Sequence, residues 1–251
     1  MSSKSELETF FGALRFFTRL PIPGSLGQSE EALERAMRYL PVVGLVVGLL
    51  AGLTFAITTF FWPKTLAVLA AMVTAILVTG ALHEDGWCDM VDGFGGGHDK
   101  DSILSIMRDS RIGGFGMLAM TVLLLVRFLA LVEVEIQFVP IALIAGHAVS
   151  RLCVLVTFSL LDYARPEGKV QPFNKELGSN DIPIAGVIAL LPVLLLGPAQ
   201  FIPALILAAL ATFYLIRLFK RKIGGYTGDC LGSVQQLSEV AFYCGLLCSF
   251  S

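Results

Sequence analysis

The residues best equipped for chemistry sit in one stretch, His83-Glu84-Asp85-Gly86-Trp87-Cys88-Asp89-Met90-Val91-Asp92-Gly93. Asp85, Asp89 and Asp92 stand at i, i+4 and i+7. At about 100° per residue, a helix carries all three within roughly 40° of one another on one face. Stacked carboxylates repel, and these follow directly on an apolar run, where unpaired charge is costly. Cations resolve both problems. Hard carboxylate oxygens suit Mg2+ or Mn2+, usually together with substrate phosphates. Gly86 and Gly93 weaken a helix, so their expected role is to let a bulky ligand approach the backbone. An ordinary solvated acidic helix end explains neither the single face nor the glycines.

Two further segments add to this constellation. Gly93-Phe94-Gly95-Gly96-Gly97 reads as the end of the acidic helix, with His98, Asp99 and Asp101 as loop and capping residues. In Ile106-Met107-Arg108-Asp109-Ser110-Arg111-Ile112-Gly113-Gly114-Phe115-Gly116, the planar forks of Arg108 and Arg111 can clamp a phosphate. Asp109 can join the metal site or pair with an arginine. In Gly224-Gly225-Tyr226-Thr227-Gly228-Asp229-Cys230-Leu231-Gly232, Thr227 and Asp229 suit a phosphate or hydroxyl site, or an ordinary turn with a helix N-cap.

The elements that hold these segments are membrane helices. Of 251 residues, 55% are hydrophobic and 15% charged, too apolar for one soluble core. A net charge of −2 gives no basic field for nucleic acid. The five cysteines form no CxxC pair and no disulfide framework. Residues 6–20 mix aromatics with Arg15 and Arg19. They read as an interfacial amphipathic helix ended by Pro21 and Pro23, not as a signal peptide. Apolar segments 41–62, 65–82, 115–132, 138–160, 182–197, 199–219 and 234–250 predict seven spans, with six as the rival count. With the N-terminus inside, 15 of the 18 lysines and arginines fall on the cytoplasmic side and one, Lys64, outside; Arg127 and Arg151 lie within spans. The chemistry-bearing segments 83–114, 161–181 and 220–233 then share the cytoplasmic face. Within the spans, His147 and Arg151 are i, i+4 neighbours. They are read either as functional groups or as a structural helix-to-helix bond, and Glu239 is a partner for one of the buried cations. The fold expected is an all-α integral membrane bundle forming a single domain over 1–251.

The motif His83-x-Asp85-Gly86-x-x-Asp89-x-x-Asp92-Gly93, followed by Ile106-Met107-Arg108-Asp109-Ser110-Arg111-x-Gly113-x-Phe115-Gly116 and Gly225-x-Thr227-Gly228-Asp229-x-Leu231-Gly232, resembles the adenosylcobinamide-GDP ribazoletransferase (cobalamin 5′-phosphate synthase) family. Phe16-Phe17-Thr18-Arg19-Leu20-Pro21-Ile22-Pro23 and Pro41-Val42-Val43-Gly44 are similar to that family as well. The resemblance spans nearly the whole chain. It implies a multi-pass enzyme of the inner membrane that uses Mg2+. That enzyme joins adenosylcobinamide-GDP to α-ribazole or its 5′-phosphate and releases GMP. It further implies Asp85, Asp89 and Asp92 as metal ligands, with one of them, Asp109 or His83 as the base. Arg108 and Arg111 would neutralise phosphate oxygens, beside Gly86, Gly93, Thr227 and Asp229 in substrate binding. Glu84 departs from the apolar residue expected there and is either a further metal ligand or a solvent-facing acid. The expected partners are the two small-molecule substrates and the lipid bilayer. There is no nucleic acid, and a homo-oligomer is left open. A CDP-alcohol phosphotransferase fails at Cys88-Asp89, where that family has Ala-Arg. An ion-coupled transporter, the rival from another class, would place its acids near the bilayer midplane rather than at one edge.

Overall fold

Long apolar runs continue as helix, and Gly80 and Gly224, both in the left-handed conformation, stop two of them. A computed structural model describes residues 3–24, 26–165 and 177–248, nearly all helical, with a single isolated bridge between Tyr163 and Tyr226 in place of any sheet. The helices are α1 (Ser3–Phe17), α2 (Glu30–Glu34), α3 (Leu40–Thr58), α4 (Lys64–Thr79), α5 (Leu82–Gly96), α6 (Lys100–Ile106), α7 (Gly114–Glu133), α8 (Val139–Leu160), α9 (Asp181–Leu190), α10 (Pro198–Ile223) and α11 (Gly228–Leu246). Short 3-10 turns precede α3 and α8 and follow α9.

Among the described residues, four helical segments are long and apolar enough to cross a bilayer: Ala36–Thr58, Gly114–Glu133, Ile136–Leu160 and Pro198–Ile223. The pair α4 and α5 makes a fifth only if counted as one span bent by 86°. The seven-span expectation is therefore not met by length and composition. Segment 182–197 breaks at Leu191, because Pro192 has no N–H to donate to a fourth turn. The segment 234–250, whose last two residues lie outside the described ones, belongs mostly to α11. That helix is buried on nearly every side from Cys230 to Leu246, between α5, α7, α8 and α10. Lys169 and Lys175, counted as inside charges, also lie outside the described residues.

Close backbone approach holds the bundle together. Gly44, Gly48 and Gly52 form a small-residue stripe on α3 against α8; a Cβ on Gly48 would stand 2.6 Å from Ile144 Cα. The 86° turn between α4 and α5 is made by Gly80 and Ala81 at φ +66° and +57°. Gly80 adopts this left-handed conformation freely, while Ala81 does so at a cost of roughly 1–2 kcal/mol. At the start of the chain, Arg38 and Tyr39 grip Glu6 at 2.9 and 2.5 Å, which fastens α1 across the beginning of α3. The Tyr39 hydroxyl, ahead of Arg38, holds the Glu6 carboxyl below the usual range.

Inside the bundle, Arg127 of α7 pairs with Glu239 of α11 at 2.5 Å, and His147 Nδ1 of α8 lies 2.8 Å from the same carboxylate. The partner expected for Glu239 is thus Arg127, and His147 and Arg151 belong to a helix-to-helix network. Polar groups that find one another in this way lower the cost of placing charge inside a membrane protein.

Candidate active site

The acidic stripe lies along α5, which the left-handed turn sets across the end of α4. Asp85 is exposed, Asp89 half-buried and Asp92 buried. The helix runs on to Gly96 and stops at Gly97, one turn later than expected, because Gly93 packs on α6 rather than ending α5. A Cβ on Gly93 would strike the Met107 side chain and stand 3.0 Å from the Ile103 carbonyl. A Cβ on Gly86 would stand 3.0 Å from Asp229 Cα and 3.1 Å from its carbonyl oxygen. The Ser233 hydroxyl donates to the Gly86 carbonyl at 3.2 Å. Both glycines therefore serve helix-to-helix packing, and Gly86 also lines the cavity beside the acids.

Packing α5 on α11 at this distance brings Asp229 to the acidic stripe. Asp229 lies within electrostatic reach of Asp85 and Asp89. It accepts from the Thr227 hydroxyl at 3.3 Å and pairs with Arg165 at 3.3 Å. Burial pushes the Asp229 carboxyl up against the pull of Arg165. Thr227 is the N-cap of α11, its oxygen accepting from the Cys230 amide at 3.3 Å, so the capping alternative holds for this residue. Two backbone bonds tie the segment before α11 to the segment after α8: Tyr226 N–H to the Asp162 carbonyl at 2.9 Å, and Ala164 N–H to the Tyr226 carbonyl at 2.8 Å. This clip carries Arg165 to Asp229. In the sequence Arg165 is one of the 15 charges on the cytoplasmic side, and no local spacing marks it.

Asp92 accepts from the Gly113 amide at 2.7 Å and the Gly116 amide at 2.8 Å. Its carboxylate thus occupies the positive N-terminal end of α7. A side chain on Gly113 or Gly116 would collide with it, which accounts for that Gly-x-x-Gly spacing. Arg108 and Arg111 lie on the loop after α6 rather than on one helical face. The Arg111 fork closes on Asp109 at 2.5 Å, and this contact holds the exposed Asp109 carboxyl down at about 2. Arg108 is exposed. His83 is buried, and its Nε2 has no hydrogen-bond partner. Glu84 accepts from Gln236 at 3.0 Å, turned toward α11.

A cavity of about 200 Å3 opens beside the acids, walled by Phe16 and Phe17 of α1, Met37, Val154, Asp85 and Asp229. Among the described residues no three His, Cys, Asp or Glu side chains come together so as to hold a metal ion. Mg2+ does not need three, since it binds through one or two carboxylates plus substrate phosphates. Asp85 and Asp89 are the two carboxylates of the stripe left for such a role, with Asp229 within electrostatic reach. Asp92 has both oxygens engaged at α7.

The cobalamin-5-phosphate synthase family model matches residues 9–247. A Shewanella amazonensis protein named adenosylcobinamide-GDP ribazoletransferase is 40% identical over 257 residues, covering 99% of this chain and 98% of its own. A Ralstonia pickettii protein of the same name is 39% identical over 243 residues, covering 96% and 95%. No solved structure matches the chain. The acids, the glycine contacts that bring them together and the match along almost the whole length agree: the chain belongs to the cobalamin-5-phosphate synthase family of enzymes.

Proposed function

We propose that this enzyme joins adenosylcobinamide-GDP to α-ribazole or its 5′-phosphate, with Mg2+, at the cytoplasmic face of the inner membrane. The observation that carries the reading is the meeting of Asp85, Asp89, Asp229 and Arg165, from three separate segments, beside one cavity. Asp85 and Asp89 would hold the ion, with Asp229 opposite. An ion bound there would supply positive charge to the diphosphate and to the departing phosphate. A carboxylate of this set takes the proton from a ribose hydroxyl of the acceptor. The hydroxyl oxygen then bonds to the corrinoid-side phosphorus as the bond from that phosphorus to the bridging oxygen breaks, and GMP leaves. Arg165 and the exposed Arg108 supply cationic groups for phosphate oxygens. The cavity, whose walls include Phe16, Phe17, Met37, Leu82, Val154 and Leu231, suits the flat, largely apolar base of the acceptor.

The test is purified protein in detergent with adenosylcobinamide-GDP and α-ribazole phosphate. GMP should appear with Mg2+ and stop with a chelator. Folded protein that releases no GMP in the presence of Mg2+ would overturn the reading.

A further inference from the structure

The charge count inside the bundle does not close without a residue from the acidic stripe. Arg127 and Arg151 are each 1% exposed. Glu239, also 1% exposed, pairs with Arg127. Arg151 has no carboxylate within ion-pair distance among the described residues. Its Nη1 donates to the His147 carbonyl at 3.0 Å and meets the His147 ring at 3.2 Å. Among the described residues, two fully buried arginines thus have one carboxylate, Glu239, at ion-pair distance, a costly arrangement in a low-dielectric interior.

The acid that reaches this interior from α5 is Glu84. A continuous chain of hydrogen bonds leads to it: Gln235 donates to Glu239 at 2.5 Å, Gln236 donates to the Gln235 oxygen at 2.9 Å, and Gln236 donates to Glu84 Oε1 at 3.0 Å. Glu84 Oε2 is buried and accepts no hydrogen bond. After that of Glu239, its charge acts on both guanidinium groups. The other acids of the stripe are placed otherwise, with Asp85 exposed, Asp89 half-buried and Asp92 capping α7.

We propose that Glu84 is the second counter-charge of the buried arginine pair and a positioning residue, holding the first turn of α5 on α11 so that Asp85 stands at the site, rather than a metal ligand. The catalytic consequence rests on the proposed function; the charge pairing does not.

The experiment is a double-mutant cycle on the full chain in detergent, with Glu84→Gln, Arg151→Met and both together. It reads the thermal midpoint and the Mg2+ dependence of GMP release. Each single variant should lower the midpoint, and the double variant should lie above the lower single, because removing both charges restores the balance. Glu84→Gln should reduce turnover by about tenfold while its half-saturating Mg2+ stays within about twofold of wild type. A strictly additive loss in the double variant, or half-saturating Mg2+ raised about tenfold or more in Glu84→Gln, would overturn the proposal. If Glu84→Gln alone yields no folded protein, recovery of folded protein by adding Arg151→Met supports it, and failure to recover counts against it. Should wild type release no GMP, the functional reading falls while the thermal cycle still decides the pairing.

Discussion

The three aspartates of α5 and Asp109 of the loop after α6 are held differently, and single substitutions separate them. Asp85→Asn and Asp89→Asn remove charge from the open part of the site, so each should cut GMP release about 100-fold with the thermal midpoint little changed. Asp92→Ala should instead lower stability by about 2 kcal/mol, measured by unfolding in detergent, because two amides at the start of α7 lose their acceptor. A stable Asp92→Ala variant with turnover lost would return Asp92 to the reacting centre. Asp109 makes a pH argument. Its carboxyl is held at about 2 by the Arg111 fork, so the ion pair is fully present above the ordinary carboxylate range and is lost only as pH falls toward that value. Asp109 therefore keeps its charge at any neutral or mildly acidic pH. The acidic limb of the pH–rate profile should be unmoved in Asp109→Asn; a displaced limb would make Asp109 the base. At this scale the sequence was legible where spacing alone decides geometry, as in the single face of Asp85, Asp89 and Asp92. It was silent on Arg165, whose meeting with Asp229 depends on the clip between Asp162–Ala164 and Tyr226, a pairing of segments about sixty residues apart.

Between helices, glycine decides the distances. Gly86→Ala would force α5 and α11 apart, since its neighbours are the Asp229 backbone rather than a movable side chain. A loss of about 1–3 kcal/mol in stability and a larger loss of turnover are expected. Gly114→Ala has nothing within 4 Å of the added carbon and should leave both unchanged. Equal effects of the two substitutions would deny that the α5–α11 separation sets the site. The acidic helix itself was readable from its i, i+4, i+7 pattern, but the purpose of its glycines was not. A glycine that admits a ligand and one that admits a neighbouring backbone look the same in one dimension. The same holds for α11. Ser233, Gln235, Gln236, Ser238 and Glu239 interrupt an apolar segment, and such interruptions mark a helix surrounded by protein rather than by lipid. Hydropathy averaged over the segment hides that signal.

For the molecule as a whole, the distribution of lysine and arginine makes orientation testable. In a background without native cysteines, a cysteine at Arg111, whose side chain is 87% exposed, and one at Phe61, 78% exposed, should label from opposite sides of sealed vesicles. Labelling of both from one side would refute the assigned topology. The helical bundle and its membrane character followed from composition. The number of crossings did not, because Leu82–Gly96 bends away by 86° and α11 is enclosed. That enclosure bears on how the protein is made. A helix with five polar side chains in consecutive turns has no stable residence in lipid by itself, so the translocon can release it only into a cleft already formed by α5, α7, α8 and α10. Asp229 rides on that helix. On the proposed function, the site is therefore incomplete until α11 has been threaded into place, and a chain interrupted before Asp229 carries the acids of α5 without the group they meet.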